Sequence, residues 1–161
     1  MTENATQRVK PKTAGKAMVR TKSVCPTPTL TKVSVRNFEI IIDEPPSNHG
    51  EDEGPQPLEY LLASLAGCTN VIINKIAVEN SISLIDLEVD VVGVLDTRGI
   101  YGVEPIIVPF PEIRLDIRLK TRNSEDDMDL VREQLDWRCP VKVIVRQSGS
   151  VIKENWDIEY V

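Results

Sequence analysis

Two cysteines, Cys68 and Cys139, are the residues whose type and setting could do chemistry. Cys68 lies in QPLEYLLASLAGCTN (56–70), deep in an apolar run, and Cys139 lies in RCPV (138–141). Neither belongs to a C-x-x-C pair and the chain has a single histidine, so no metal site is expected. What remains for two thiols is redox chemistry. A thiolate is the nucleophile, a sulfenic acid is its first oxidation product, and a second thiol condenses with that acid to a disulfide. The bland reading of Cys68 is a small core residue, since free cysteine is among the most buried residue types. For Cys139 it is a residue that ends a helix before a proline. The third cysteine, Cys25, stands in the turn-forming stretch Cys25-Pro26-Thr27-Pro28 and reads as a surface or edge thiol without a role.

The elements that hold the two sulfurs follow from pattern. A helix is predicted from about Leu58 to Val78, with Pro57 near its first turn, where a missing N–H costs nothing, and Glu59 suiting the positive end of its dipole. Leu61, Leu65, Cys68, Ile72 and Ile76 form one stripe and Leu62, Ala66 and Ile73 cover another side, so the helix is apolar nearly all round. Such a helix must be buried, and a chain of 161 residues has little material to surround it. Ala63, Ser64, Ala66 and Gly67 add a patch of small residues permitting close backbone approach. A second subunit is therefore expected to supply part of the cover. Ser124 caps another helix, with Glu125, Asp126 and Asp127 in its first turn, running to about Trp137 just before Cys139. Trp137 is expected as a core anchor or as a shield for the sulfur. After Pro140, VKVIV fits either a short helix or a strand.

Around these helices the chain alternates. Strands are predicted over 17–24 and over 30–42, the latter bending near Arg36-Asn37 into two. The stretch 43–57, with four prolines and five acids, is a loop in which His49 reads as a solvated side chain. Half-buried antiparallel strands are predicted over 84–95 and 112–120, with a last strand in VIKENWDIEYV. The proline-broken connection 97–111 either walls a pocket through Tyr101 and Phe110 or is an ordinary long link. The fold class is α+β, with antiparallel sheets around a long buried central helix.

Length allows one domain, expected over 17–161 behind a flexible tail of residues 1–16 that carries Arg8, Lys10, Lys12 and Lys16. A net charge of −6 argues against a nucleic-acid partner. The first 20 residues lack the apolar run of a signal peptide, and no stretch of 18 uninterrupted apolar residues occurs, so no membrane span is expected. Three widely spaced cysteines are not a secreted disulfide framework, which points to the cytoplasm.

GPQPLEYLLASLAGCT followed some seventy residues later by RCPV resembles the OsmC/Ohr family of osmotically inducible and organic-hydroperoxide-resistance proteins, and FEIIIDEPP…GEDEGPQP resembles one branch of it. The resemblance implies a thiol peroxidase built as an intertwined homodimer around paired central helices. It aligns Cys68 with the peroxidatic cysteine and Cys139 with the resolving one. It also implies an organic hydroperoxide as substrate and an external dithiol as reductant, with no cofactor. An apolar surround suits an alkyl hydroperoxide but penalises a thiolate, so the site calls for a cation. Here the chain departs from the best-understood branch, whose peroxidases use an arginine in an N-terminal turn held by a glutamate ten residues before the reactive cysteine. Ten residues before Cys68 stands Leu58, and Glu59, nine before it, falls on the opposite helix face. The candidate orienting acid is Glu59 all the same. Arg20 and Arg36 remain as candidate cations, with Arg36 favoured by its strand bend. Loss of the Arg/Glu pair keeps two further functions open: a dimer binding an apolar or thiol-bearing molecule, and a redox sensor switched by a Cys68–Cys139 disulfide.

Overall fold

The computed structural model describes residues 15–161, so the expected tail lies, through residue 14, outside the described residues. The chain divides into two compact units, one ending at Pro57 and one running from Leu58 to Val161.

The N-terminal unit is an antiparallel sheet of β1 (Lys22–Val24), β2 (Thr31–Val35) and β3 (Phe38–Ile42), in that order. The first strand is shorter than the predicted 17–24, because β1 pairs only with Lys32–Ser34 of β2. Branched residues drive β2 and β3, and a two-residue turn, Arg36-Asn37, joins them with Arg36 at φ 57. The acidic stretch after β3 is ordered by its own buried carboxylate. Asp43 Oδ2 accepts the amides of Glu51 at 3.0 Å and Glu53 at 3.2 Å, while the Asp52 amide donates to the Glu44 carbonyl at 3.1 Å. Burial pushes the Asp43 carboxyl up, but the amides of Glu44, Glu53 and Glu51 outweigh it and hold the group below the usual range. A Cβ on Gly50 would come within 1.8 Å of the Glu44 oxygen, so the fold-back needs glycine there. His49 is exposed on this loop.

The second unit holds all but the first residue of the predicted long helix, α1 (Pro57–Asn80), and continues through β4 (Leu84–Val94), β5 (Glu112–Thr121), α2 (Glu125–Arg138), α3 (Pro140–Gln147) and β6 (Val151–Tyr160). β5 lies in the centre of the sheet, antiparallel to β4 and parallel to β6. The parallel pair departs from the all-antiparallel expectation. Its cause is connectivity: α2 and α3 form the crossover that returns the chain alongside β5. On β5, Ile113, Leu115, Ile117 and Leu119 point inward, while Arg114 and Arg118 point to water. These residues form one core with Leu65, Ile73 and Ile76 of α1 and Met128, Val131 and Leu135 of α2. This is the α+β architecture expected.

One side of α1 is covered by that core and the other is not. Leu65, Thr69, Ile73, Ile76 and Ala77 are buried, yet Val71 and Val78 are 60% and 70% exposed and a Cβ on Gly67 would meet nothing. By length and composition alone α1 would pass for a membrane span, with a mean hydropathy of 1.6. Ser64, Thr69, Asn70 and Asn74 interrupt its apolar run. The residues of α1 inside the core mark it as a core helix of this unit.

Of the alternatives left open for the aromatic residues, the core-anchor reading of Trp137 and the pocket-wall reading of Tyr101 and Phe110 are not met. Trp137 is 67% exposed and anchors no core; the half-buried indole is that of Trp156, on β6. In the connection 95–111, Phe110 is buried against Gly93, where a Cβ would lie 2.7 Å from its ring, while Tyr101 is exposed. The hollow of about 330 Å³ in this connection is lined instead by Ile100, Pro105, Ile106 and neighbouring residues.

The capping box of α2 is complete: the Ser124 hydroxyl accepts the Asp127 amide, and the Asp127 carboxylate accepts the Ser124 amide at 3.1 Å. Ser124→Ala is expected to lower stability by about 1 kcal/mol. A urea-denaturation midpoint equal to that of the wild type would refute the cap's contribution.

Candidate functional site

Proline chemistry makes the corner that holds Cys139. A residue before proline is driven out of the helical region, and proline is itself well suited to the first helical position. Cys139 accordingly adopts φ −81, ψ 103, closing α2 with its amide on the Leu135 carbonyl at 3.2 Å and serving as N-cap of α3. The side chain is fully buried, at 0% exposure. The sulfur makes no formal cap hydrogen bond, yet the Lys142 amide in the first turn of α3 faces it and favours its anion.

The helical stripe of α1 brings Cys68 to the same place. Cys68 is half-buried and packs against the core to which Cys139 belongs. The two thiols, 71 positions apart in the chain, share this core, and Cys68 is near enough to bear on the ionisation of Cys139. Burial pushes the Cys139 thiol up, and its hydrogen bond to Cys68 and the charge of Cys68 push it further; the Lys142 amide and the Thr69 hydroxyl oppose the rise. Cys139 is therefore held in its thiol form. Both cysteines are free thiols.

Behind the corner lies a charge network that composition did not announce. Lys142 is 1% exposed, with its ammonium paired to Asp136 at 2.7 Å and to Glu154. Arg146 adds a contact to Asp136 at 3.0 Å, and the Trp156 indole N–H donates to Glu154 at 3.1 Å. A lysine is buried this deeply only when paired, and here the pairing ties the first turn of α3 to α2 and β6. The Asp136 carboxyl is held below its usual range chiefly by the Lys142 ammonium, against a smaller burial effect.

Arg20 and Arg36 belong to the N-terminal unit; the Arg36 guanidinium lies 5.1 Å from the centroid of the Phe38 ring. Glu59 is exposed in the first turn of α1, about 13 Å of helix rise before Cys68. Leu58 packs against the core. Cys25 is exposed, with its sulfur 3.7 Å from the Thr31 hydroxyl. Two residues that sequence reasoning passed over, Thr69 and Lys142, face the Cys139 sulfur. Their only signal was position: one directly follows Cys68, and the other is the third residue of a proline-opened helix. Among the described residues no cluster of three or more His, Cys, Asp or Glu could hold a metal ion.

A core helix carrying one thiol, packed under a mixed sheet whose crossover carries another, defines a small α+β protein of dithiol type. The family model described as OsmC-like protein matches residues 50–155, about two thirds of the chain, and the chain belongs to that family. No curated protein matches it in sequence. Among solved structures, an OsmC-like protein from Mycoplasma pneumoniae superposes with a TM-score of 0.76 at 22% identity, over 91% of this chain and 100% of that one. An organic hydroperoxide resistance protein from Legionella pneumophila gives 0.60 at 13%, over 91% and 99%. The organic hydroperoxide resistance protein OhrB of Bacillus subtilis gives 0.53 at 13%, over 89% and 98%. At these identities the likeness is one of fold.

The depressed Asp136 carboxyl links stability to pH. Its folded pKa is lowered, so its contribution is present above the unfolded value of about 3.9 and is lost as pH falls through the folded value. Thermal melts of wild type and Asp136→Asn should differ most at neutral pH and converge toward pH 2. A gap that widens on acidification would contradict the Lys142–Asp136 pairing.

Proposed function

We propose that this protein is a thiol peroxidase that reduces organic hydroperoxides in the cytoplasm. The observation that carries the proposal is that two free thiols of unequal exposure, Cys68 half-buried and Cys139 fully buried, meet in one apolar core. The Cys68 thiolate attacks the terminal oxygen of the hydroperoxide; the O–O bond breaks, the alkoxide leaves and takes a proton to become the alcohol, and Cys68 becomes a sulfenic acid. Cys139 then attacks that sulfur through its own, its thiol proton leaving with the hydroxide as water, and the Cys68–Cys139 disulfide forms. An external dithiol restores both thiols. The apolar residues around Cys68, among them Leu65 and Ile72, favour an alkyl hydroperoxide over hydrogen peroxide.

The active unit is a homodimer in this reading, with the exposed apolar side of α1 covered by the second copy. Val71, Val78 and the open space at Gly67 support it, since a single chain leaves that side in water. The proteins called organic hydroperoxide resistance proteins that share the fold support the substrate class. One observation favours a second reading: the apolar Leu58, packed in the core, stands where the well-understood peroxidases of the resembling family carry an activating acid. A dimer without that acid suits a redox sensor or a binding protein better than a fast catalyst.

Thiol titration separates these. Addition of cumene hydroperoxide is expected to consume two thiols rapidly, faster than hydrogen peroxide does, and a dithiol should restore them. Cys68→Ser should abolish the loss, and Cys139→Ser should stop it at one thiol with a trappable sulfenic acid. Slow oxidation without recycling would instead identify a sensor, and an inert Cys68 a binding protein. For the assembly, size-exclusion chromatography at low concentration is expected to give twice the chain mass. Elution of a folded monomer would remove the dimer from the proposal.

A further inference from the structure

Thr69 presents a problem that the peroxidase reading does not use. Its side chain is 0% exposed in the middle of α1, and its hydroxyl oxygen has no hydrogen-bond partner among the described residues. A buried hydroxyl left unsatisfied costs free energy, and a helical threonine ordinarily avoids that cost by bonding back to the preceding turn. Here it faces the Cys139 sulfur instead, near enough to favour the anion yet outside hydrogen-bond geometry with the neutral thiol. The Lys142 amide in the first turn of α3 faces the same sulfur from the other side of the corner. Two donors therefore converge on one sulfur that is fully buried and protonated in the dithiol state.

We infer that Thr69 and the first turn of α3 form an anion site for the Cys139 sulfur, which directs an external thiol to Cys68 when the disulfide is reduced. The inference rests on the Cys68–Cys139 disulfide proposed above. A thiolate of the reductant attacks the Cys68 sulfur, the more exposed of the two. A bond forms between those sulfurs, the Cys68–Cys139 bond breaks, and its electron pair leaves on Cys139 as a thiolate. The Thr69 hydroxyl and the Lys142 amide donate to that thiolate. A second thiolate of the reductant then attacks its partner sulfur in the mixed disulfide and releases Cys68, so the reductant is oxidised to its disulfide and both protein thiols are regenerated. Exchange is faster when the departing thiolate is better stabilised. Once Cys68 is held in the mixed disulfide it carries no charge, so its opposition to a Cys139 anion disappears while the two donors remain. Thr69 is thus a positioning residue for the recycling step, with no part in the attack on peroxide.

The test uses the full chain oxidised with diamide, which makes the disulfide without peroxide. Its reduction by dithiothreitol is followed at one pH by alkylation and mass spectrometry. A hydrogen bond to an anion is worth roughly 10- to 100-fold in rate, so Thr69→Val should slow reduction about tenfold or more. Thr69→Ser, which keeps the hydroxyl, should stay within about threefold of the wild type. The melting temperature of Thr69→Val should not fall, because no partner of the hydroxyl is lost. In the wild type, a brief pulse of 2-mercaptoethanol should leave its adduct on Cys68. Equal rates for wild type and Thr69→Val, a Thr69→Ser variant as slow as Thr69→Val, or an adduct on Cys139 would each overturn the anion site while leaving the disulfide chemistry intact. Failure of diamide to join Cys68 to Cys139 would remove both the anion site and the dithiol mechanism beneath it.

Discussion

Pro140 is the constraint from which the candidate site is built. It disfavours the helical conformation for the residue before it and favours helix from its own position onward, and α2 ends and α3 begins at Cys139. A residue in the middle of a helix would have its neighbouring amides consumed by intrahelical bonds. At a corner, the amides of the next helix are still free and point at the side chain. That is why a fully buried sulfur, otherwise in the least favourable surroundings for charge, has a donor in reach. The same corner lies against α1, because the core that α1, β5 and α2 share brings Cys68 and Cys139 into one layer.

Core packing and charge pairing play different parts in this arrangement. The apolar stripe of α1 and the inward residues of β5 fix where the helix lies, and burial of each large aliphatic side chain contributes about 1.5–3 kcal/mol. The Lys142 network adds no comparable gain, since the desolvation of an ammonium offsets most of what its partners return. Its consequence is geometric. With the ammonium held by a carboxylate on α2 and another on β6, the first turn of α3 cannot drift from the sulfur it faces.

Much of this was legible in the sequence, and the boundary is instructive. The helix around Cys68, the capped helix before Cys139 and the strands at 31–42, 84–94 and 112–121 each carry a period or a cap that depends on local residues only. The fate of VKVIV did not, because branched apolar residues serve both states; the proline before them and the crossover geometry decide for helix. The parallel pairing of β6 was invisible for the same reason, being a property of the connection and not of the strand. Trp137 was misjudged because its size says nothing about which face of α2 it occupies. Thr69 and Lys142 escaped notice because threonine and lysine are read as exposed by default, and only three-dimensional packing shows a hydroxyl without a partner or an ammonium without water.

The charges at the corner bear on how Cys68 would be activated. The cations nearest in chain to Cys139 are already committed: Lys142 to Asp136 and Glu154, and Arg138 to Glu79 at 2.7 Å and Gln134 at 2.6 Å. A guanidinium or ammonium neutralised by carboxylates at hydrogen-bond distance leaves little field for a third anion. The corner therefore offers amide and hydroxyl dipoles to Cys139 but no spare positive charge to Cys68. A cysteine in the middle of a helix gains little from the helix terminus either, since that field fades beyond the first turn. If Cys68 reacts as a thiolate, the balancing charge comes from outside α2 and α3. In that case activation of Cys68 and release of Cys139 rest on separate pieces of the protein, and one can be lost without the other.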